Sequence, residues 1–127
     1  ERDSLLFSLR RTACLGNCPV FTLDVYYDGW VKYVGKNYVD LMGIYTGNLS
    51  KNQISYIKKA FSDAGFYKFK NQYNDGRLDI PATIIEYNGP GGIKKVEART
   101  DIPRPFRLLA NDMESLVNEI NWTAEKY

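Results

Sequence analysis

Apolar residues recur along this chain with two different periods. Leu5, Phe7 and Leu9 alternate with Ser8 and Arg10, and Phe21, Leu23 and Val25 alternate with Thr22, Asp24 and Tyr26. A period of two predicts half-buried β-strands, the first over about residues 4–12 and the second leading into Asp28-Gly29, a strong hairpin signal. A two-residue turn there would set Val25 opposite Lys32 and Phe21 opposite Lys36, mixing charge into the apolar face. A three-residue turn, Tyr27-Asp28-Gly29 with Gly29 left-handed in a bulge, sets Val25 opposite Val31, Leu23 opposite Tyr33 and Asp24 opposite Lys32. Because a one-residue slip flips every side chain, the second register is expected. It places Tyr26 beside Trp30 on the face away from the core.

A further strand is expected over about residues 41–49, bracketed by Gly43 and Gly47. The period then changes. Ser50 and Gln53 have the spacing of a capping box, and Ile54, Ile57, Phe61 and Ala64 recur at helical intervals until Gly65. Phe66, Tyr67, Phe69 and Tyr73 fall in a loop or short extended stretch, as aromatics that plug the edge of a core. Residues 79–87 and 93–99 read as two strands joined through Asn88-Gly89-Pro90-Gly91-Gly92. Which face of residues 82–87 is buried stays open, because each parity carries one isoleucine. Pro103 and Pro105 precede a last helix with the apolar stripe Phe106, Leu109, Met113, Leu116 and Ile120. The sum is ββββ-α-ββ-α. It predicts one α+β domain over residues 1–127, an antiparallel β-sheet with two amphipathic helices packed on one face.

Composition narrows the chemistry. A chain of 127 residues, 44% hydrophobic and 25% charged, suffices for one packed domain without covalent help. Its net charge of +2 is too small to imply nucleic acid, and Lys58-Lys59 and Lys94-Lys95 read as solvated faces. No stretch has the length of a membrane span. Histidine is absent, which excludes histidine-dependent triads, histidine metal sites and a histidine acid or base. Asp24, Asp28, Asp75, Asp79 and Asp101 offer carboxylates for acid–base work, but Asp28 and Asp75 suit turns and Asp24 faces Lys32. No nucleophile elbow, phosphate loop or dinucleotide fingerprint occurs, and no motif calls for a cofactor. The chain begins at Glu1 rather than methionine, which points to a removed upstream segment: a signal peptide, a lipoprotein leader or a cloning choice.

The stretch Cys14-Leu15-Gly16-Asn17-Cys18-Pro19 holds both cysteines of the chain. Followed by Phe21, Asp28-Gly29, Tyr33 and Gly35, with weaker matches at Gly43, Gly47, Leu49, Phe66, Tyr73, Pro81, Lys94, Val96 and Pro105, it resembles an uncharacterised bacterial family. That family is known only as a domain of unknown function, and many members occur in exported proteins and lipoproteins. The resemblance spans nearly the whole chain. It implies an exported setting and a Cys14–Cys18 disulfide, and it supplies no activity and no catalytic residues.

Three readings of the cysteine pair stand side by side. A structural disulfide needs the Cα atoms within about 7 Å, which a turn at Gly16-Asn17 permits, and its short ring is worth roughly 2 kcal/mol. A redox couple needs one sulfur activated at a helix N-terminus or beside a cation, but Pro19 leads into a strand. A thiolate metal site is similar to the copper loop of thioredoxin-fold copper chaperones, which add a distant histidine that this chain lacks.

For function, two classes are carried. One is a non-catalytic interaction or structural domain in an extracytoplasmic protein of the periplasm or cell surface, lipid-anchored through the upstream segment. Its binding surface would be Tyr26, Trp30, Asp24 and Lys32, for a protein, peptide or glycan partner. The plainer reading of Tyr26 and Trp30 is a cross-strand pair worth roughly 0.2–1 kcal/mol to the hairpin. The other class is an enzyme using carboxylates and tyrosines. A deep cleft with convergent carboxylates would favour catalysis, and a shallow aromatic face would favour binding.

Overall fold

The computed structural model of the chain describes residues 4–77 and 79–125. Alternating side chains build β1 (Leu5–Arg11), β2 (Val20–Tyr26), β3 (Trp30–Asn37) and β4 (Gly43–Asn48) as an antiparallel meander. The β2–β3 register is the one that keeps charge out of the core. Val25 lies opposite Val31, Leu23 opposite Tyr33 and Asp24 opposite Lys32. The Gly29 N–H donates to the Tyr26 carbonyl at 2.9 Å, and Gly29 takes φ 92°, a conformation that glycine adopts without steric cost.

α1 (Lys51–Ala64) starts at a complete capping box. The Gln53 N–H donates to Ser50 Oγ at 3.1 Å, and the Ser50 N–H donates to Gln53 Oε1 at 2.8 Å. The helix buries Ile54, Ile57 and Phe61 and ends at Gly65, φ 67°. A single 3-10 turn, Phe66–Lys68, then leads to β5 (Gln72–Tyr73). β6 (Thr83–Gly89) and β7 (Gly92–Ala98) form a hairpin around Pro90-Gly91. α2 (Arg104–Ser115) runs into a 3-10 turn, Leu116–Glu119, and the described chain closes with β8 (Thr123–Ala124).

The strands make one sheet in the order β5-β7-β6-β1-β2-β3-β4-β8, antiparallel throughout except for the β5–β7 pair. This corrects the expected six-strand order. The six longer strands and two helices follow it, but β5 and β8 are two-residue additions at the two margins. Boundaries also move. The strand expected over residues 41–49 begins at Gly43, after a connection in which Tyr38 takes φ 52°. The strand expected over 79–87 begins at Thr83 and continues to Gly89, paired with Gly92 right up to the turn.

Of the two isoleucines in β6, Ile85 faces the core with Tyr87, while Ile84 is half-exposed. One core cluster joins the sheet to both helices, with Phe7, Leu9, Leu23 and Val25 from the strands, Ile57 and Phe61 from α1, and Phe106 and Met113 from α2. Phe66 and Phe69 seal it, and the whole expected stripe Phe106, Leu109, Met113, Leu116 and Ile120 is buried. No helix among the described residues is long and apolar enough to cross a membrane.

Candidate functional site

Cys14 and Cys18 are joined, with Cα atoms 5.8 Å apart, across the connection between β1 and β2. The Gly16 N–H donates to Cys14 Sγ at 3.2 Å inside the small ring. With the sulfurs bonded to each other, neither presents a thiolate for metal or exchange chemistry. The ring's role in the fold is local: it turns the chain from the end of β1 into Pro19 and β2.

The four residues picked out on the β2–β3 hairpin come together on one sheet face. The Tyr26 and Trp30 ring centroids are 5.3 Å apart at an interplanar angle of 52°. Asp24 and Lys32 sit directly opposite each other on the same strands, and all four side chains are half-buried. The Trp30 N–H donates to Asp28 Oδ1 at 3.0 Å, so the turn carboxylate fixes the strand that carries the indole. Strand pairing extends the row. Ser8 lies beside Asp24 and Thr46 beside Lys32, and the next row runs Arg10, Thr22, Val34, Ile44.

A concavity elsewhere in the fold is built by residues far apart in the chain. Between the β3–β4 connection and α2 lies a cleft of about 510 Å³ lined by Phe21, Tyr33, Tyr38, Asp40, Glu114 and Ser115, among others. Near it, Arg11 makes three side-chain bonds that draw β1, β6 and α2 together. Its Nε donates to Glu114 Oε1 at 2.6 Å, one terminal nitrogen donates to Thr83 Oγ1 at 2.7 Å, and the other donates to Asn111 Oδ1 at 3.1 Å. One signal pointed there: Arg11 shares the inward parity of Phe7 and Leu9, and an arginine at such a position needs internal partners.

Tyr33 is 3% exposed, and its hydroxyl pKa is pushed up to about 12, first by burial and then by the negative charges of Glu114 and Asp40 and by Tyr45. A phenol that holds its proton this far donates hydrogen bonds and does not act as a base near neutrality. The shift also carries a stability signature. Because the folded state keeps a proton that the unfolded chain loses near pH 10, Tyr33 leaves stability intact below that pH and lowers it as the pH rises through about 12. The stability difference between the wild type and Tyr33→Phe should therefore be flat below pH 10 and change by roughly 2–3 kcal/mol by pH 12. Rapid-mixing denaturation against pH reads it, and a difference that stays constant to pH 12 would refute the assignment.

Over residues 5–117 the chain matches the family model described as Domain of unknown function (DUF6438). A search of curated proteins gives no match.

Proposed function

The chain belongs to the DUF6438 family, and from that premise we propose that it is a non-catalytic interaction domain of an exported protein, in the periplasm or at the cell surface. In this reading both helices cover one face of the sheet, and a protein, peptide or glycan partner binds the other through Tyr26 and Trp30, flanked by Asp24 and Lys32. The observation that carries it is the gathering of these four half-buried side chains on one face, next to Val34 and Ile44. Aromatic side chains that are only partly covered bring large contact area at small entropic cost, which suits them as anchors. The Cys14–Cys18 bridge supports the location, since disulfides persist where the surroundings are oxidising. An upstream lipid anchor fits the same setting.

The cleft supports the non-catalytic part of the reading. Its Glu114 is held by Arg11 in the bonds that tie α2 to β1, and its Tyr33, with its pKa pushed up to about 12, supplies no phenolate base near neutrality. The test is a Tyr26→Ala/Trp30→Ala double variant immobilised beside the wild type and offered envelope extract. Loss of the pair costs the hairpin only roughly 0.2–1 kcal/mol, so the fold should persist while capture of the partner disappears. Equal capture by the two proteins would refute the aromatic surface.

A further inference from the structure

We infer that the pocket between the end of α1 and the β6–β7 turn is a binding site for a small aromatic molecule carrying one carboxylate. This pocket is distinct from the hairpin face and from the cleft beside Tyr33 and Glu114. It holds about 610 Å³ and is bounded by the C-terminal part of α1, the 3-10 turn, the Pro90-Gly91 turn and Tyr27.

Its walls are aromatic and fixed. Tyr87 forms the deepest wall, 3% exposed and stacked on Phe61 with centroids 4.0 Å apart and planes 13° from parallel. Tyr67, 38% exposed, stands 5.8 Å from Tyr87. Its hydroxyl donates to the Gly92 carbonyl at 2.8 Å and accepts from the Gly89 N–H at 3.0 Å. Gly91 packs flat on that ring, since a Cβ there would lie 3.0 Å from its atoms. The Tyr27 hydroxyl donates to the Asn88 carbonyl. Two tyrosine rings are thus held by the turn and the third by its stacking on Phe61, so an entering ring meets a surface that needs no reorganisation.

Charge selects the ligand. Among the described residues of the lining, Lys58 and Lys68 are the charged ones and none is a carboxylate. The Lys58 ammonium already sits 5.2 Å from the Tyr27 ring centroid, so the place a ligand cation would take on that ring is filled from within. The end of α1 is the negative end of the helix dipole, and although the Gly65 N–H meets the Phe61 and Ser62 carbonyls, the attraction for an anion comes from the two ammonium groups. An apolar ring against Tyr67 and Tyr87, with a carboxylate between the two ammonium groups, satisfies both features.

The probe is 2-naphthylacetate, titrated into the isotope-labelled chain and read by NMR, with 2-naphthylethanol and 2-naphthylethylamine as neutral and cationic controls. The acid should shift the Gly65, Gly89 and Gly91 amides. Lys58→Gln/Lys68→Gln should weaken it about fivefold or more, while binding of the alcohol is left nearly unchanged. Ser62→Trp, at an exposed position of α1, should block the probe while leaving the thermal midpoint in place. The inference is overturned if the alcohol or the amine binds as well as the acid, or if the shifts fall elsewhere. It is equally overturned if the same amides shift with protein concentration alone, which would mean that a second copy covers the pocket.

Discussion

Replacing Gly35 with alanine should cost this domain at least about 3 kcal/mol, lowering the thermal midpoint by some 10 °C or more. The argument is steric. A Cβ on Gly35 would lie 1.8 Å from the Leu41 carbonyl oxygen and 2.9 Å from Val39 Cγ2. Backbone cannot swing aside as a side-chain tip can. Gly35 is held between Phe21 of β2 and Gly43 of β4, and the connection that crosses it already contains Tyr38 in the left-handed region at φ 52°. Something must break: the β3–β4 pairing, or the crossing loop that forms one wall of the cleft beside Tyr33 and Glu114. Gly16→Ala is the matched control, because its nearest outside neighbour would be Cys14 Sγ at 4.0 Å. Thermal denaturation followed by circular dichroism compares them. A Gly35→Ala midpoint equal to that of Gly16→Ala would show that the loop does not cross there.

Phe61→Ala should cost a similar or larger amount, about 3–5 kcal/mol. Phe61 is the aromatic by which α1 meets the core, beside the buried Ile54 and Ile57. Its ring contacts Phe7 of β1 at 5.4 Å, Phe66 of the 3-10 turn at 5.2 Å and Tyr87 of β6 at 4.0 Å between centroids. Truncation removes apolar burial and leaves a void bounded by rings from three elements, which cannot all move inward together. Phe61→Leu retains most of the volume and should cost less than about 1.5 kcal/mol. Urea titration separates the two outcomes through the midpoint at an unchanged slope. If alanine costs no more than leucine, α1 is not seated on the sheet through this side chain.

The elements that the sequence made legible are those whose signals lie within a few residues. The β2–β3 register follows from side chains on either side of Asp28-Gly29, and α1 announces both its ends, at Ser50 with Gln53 and at Gly65. The burial of β6 was not decidable locally, with one isoleucine on each face. Long-range pairing resolves it, because Ile85 lies opposite Leu9 and Val96, and Tyr87 stacks on Phe61. β5 and β8 are two residues each, too short for any period to appear.

The same division holds for the sites. Tyr26, Trp30, Asp24 and Lys32 share a face that the sequence makes legible, because one hairpin carries all four. The Arg11 clamp joins residues up to 103 apart in the chain, and only the inward parity of Arg11 hinted at it. The tyrosine pocket draws on the β2–β3 turn, α1, the 3-10 turn and the β6–β7 turn, so no sequence window contains it. Of its aromatics, Phe66 plugs the edge of the core as its sequence context predicts, whereas Tyr67 is 38% exposed and forms a pocket wall.

The two-residue strands at the margins bear on how this domain meets other molecules. Strand donation, in which a segment of a second chain adds itself to a sheet, requires a long run of unpaired backbone groups. Here Thr123–Ala124 pairs with β4 at one margin and Gln72–Tyr73 with β7 at the other, while Lys94 and Lys95 stand along the rest of β7. A peptide or a neighbouring copy adding itself at either margin therefore meets an edge already capped at Tyr45–Thr46 and at Glu97–Ala98, and along Gly92–Val96 it would have to pair beside the charges of Lys94 and Lys95.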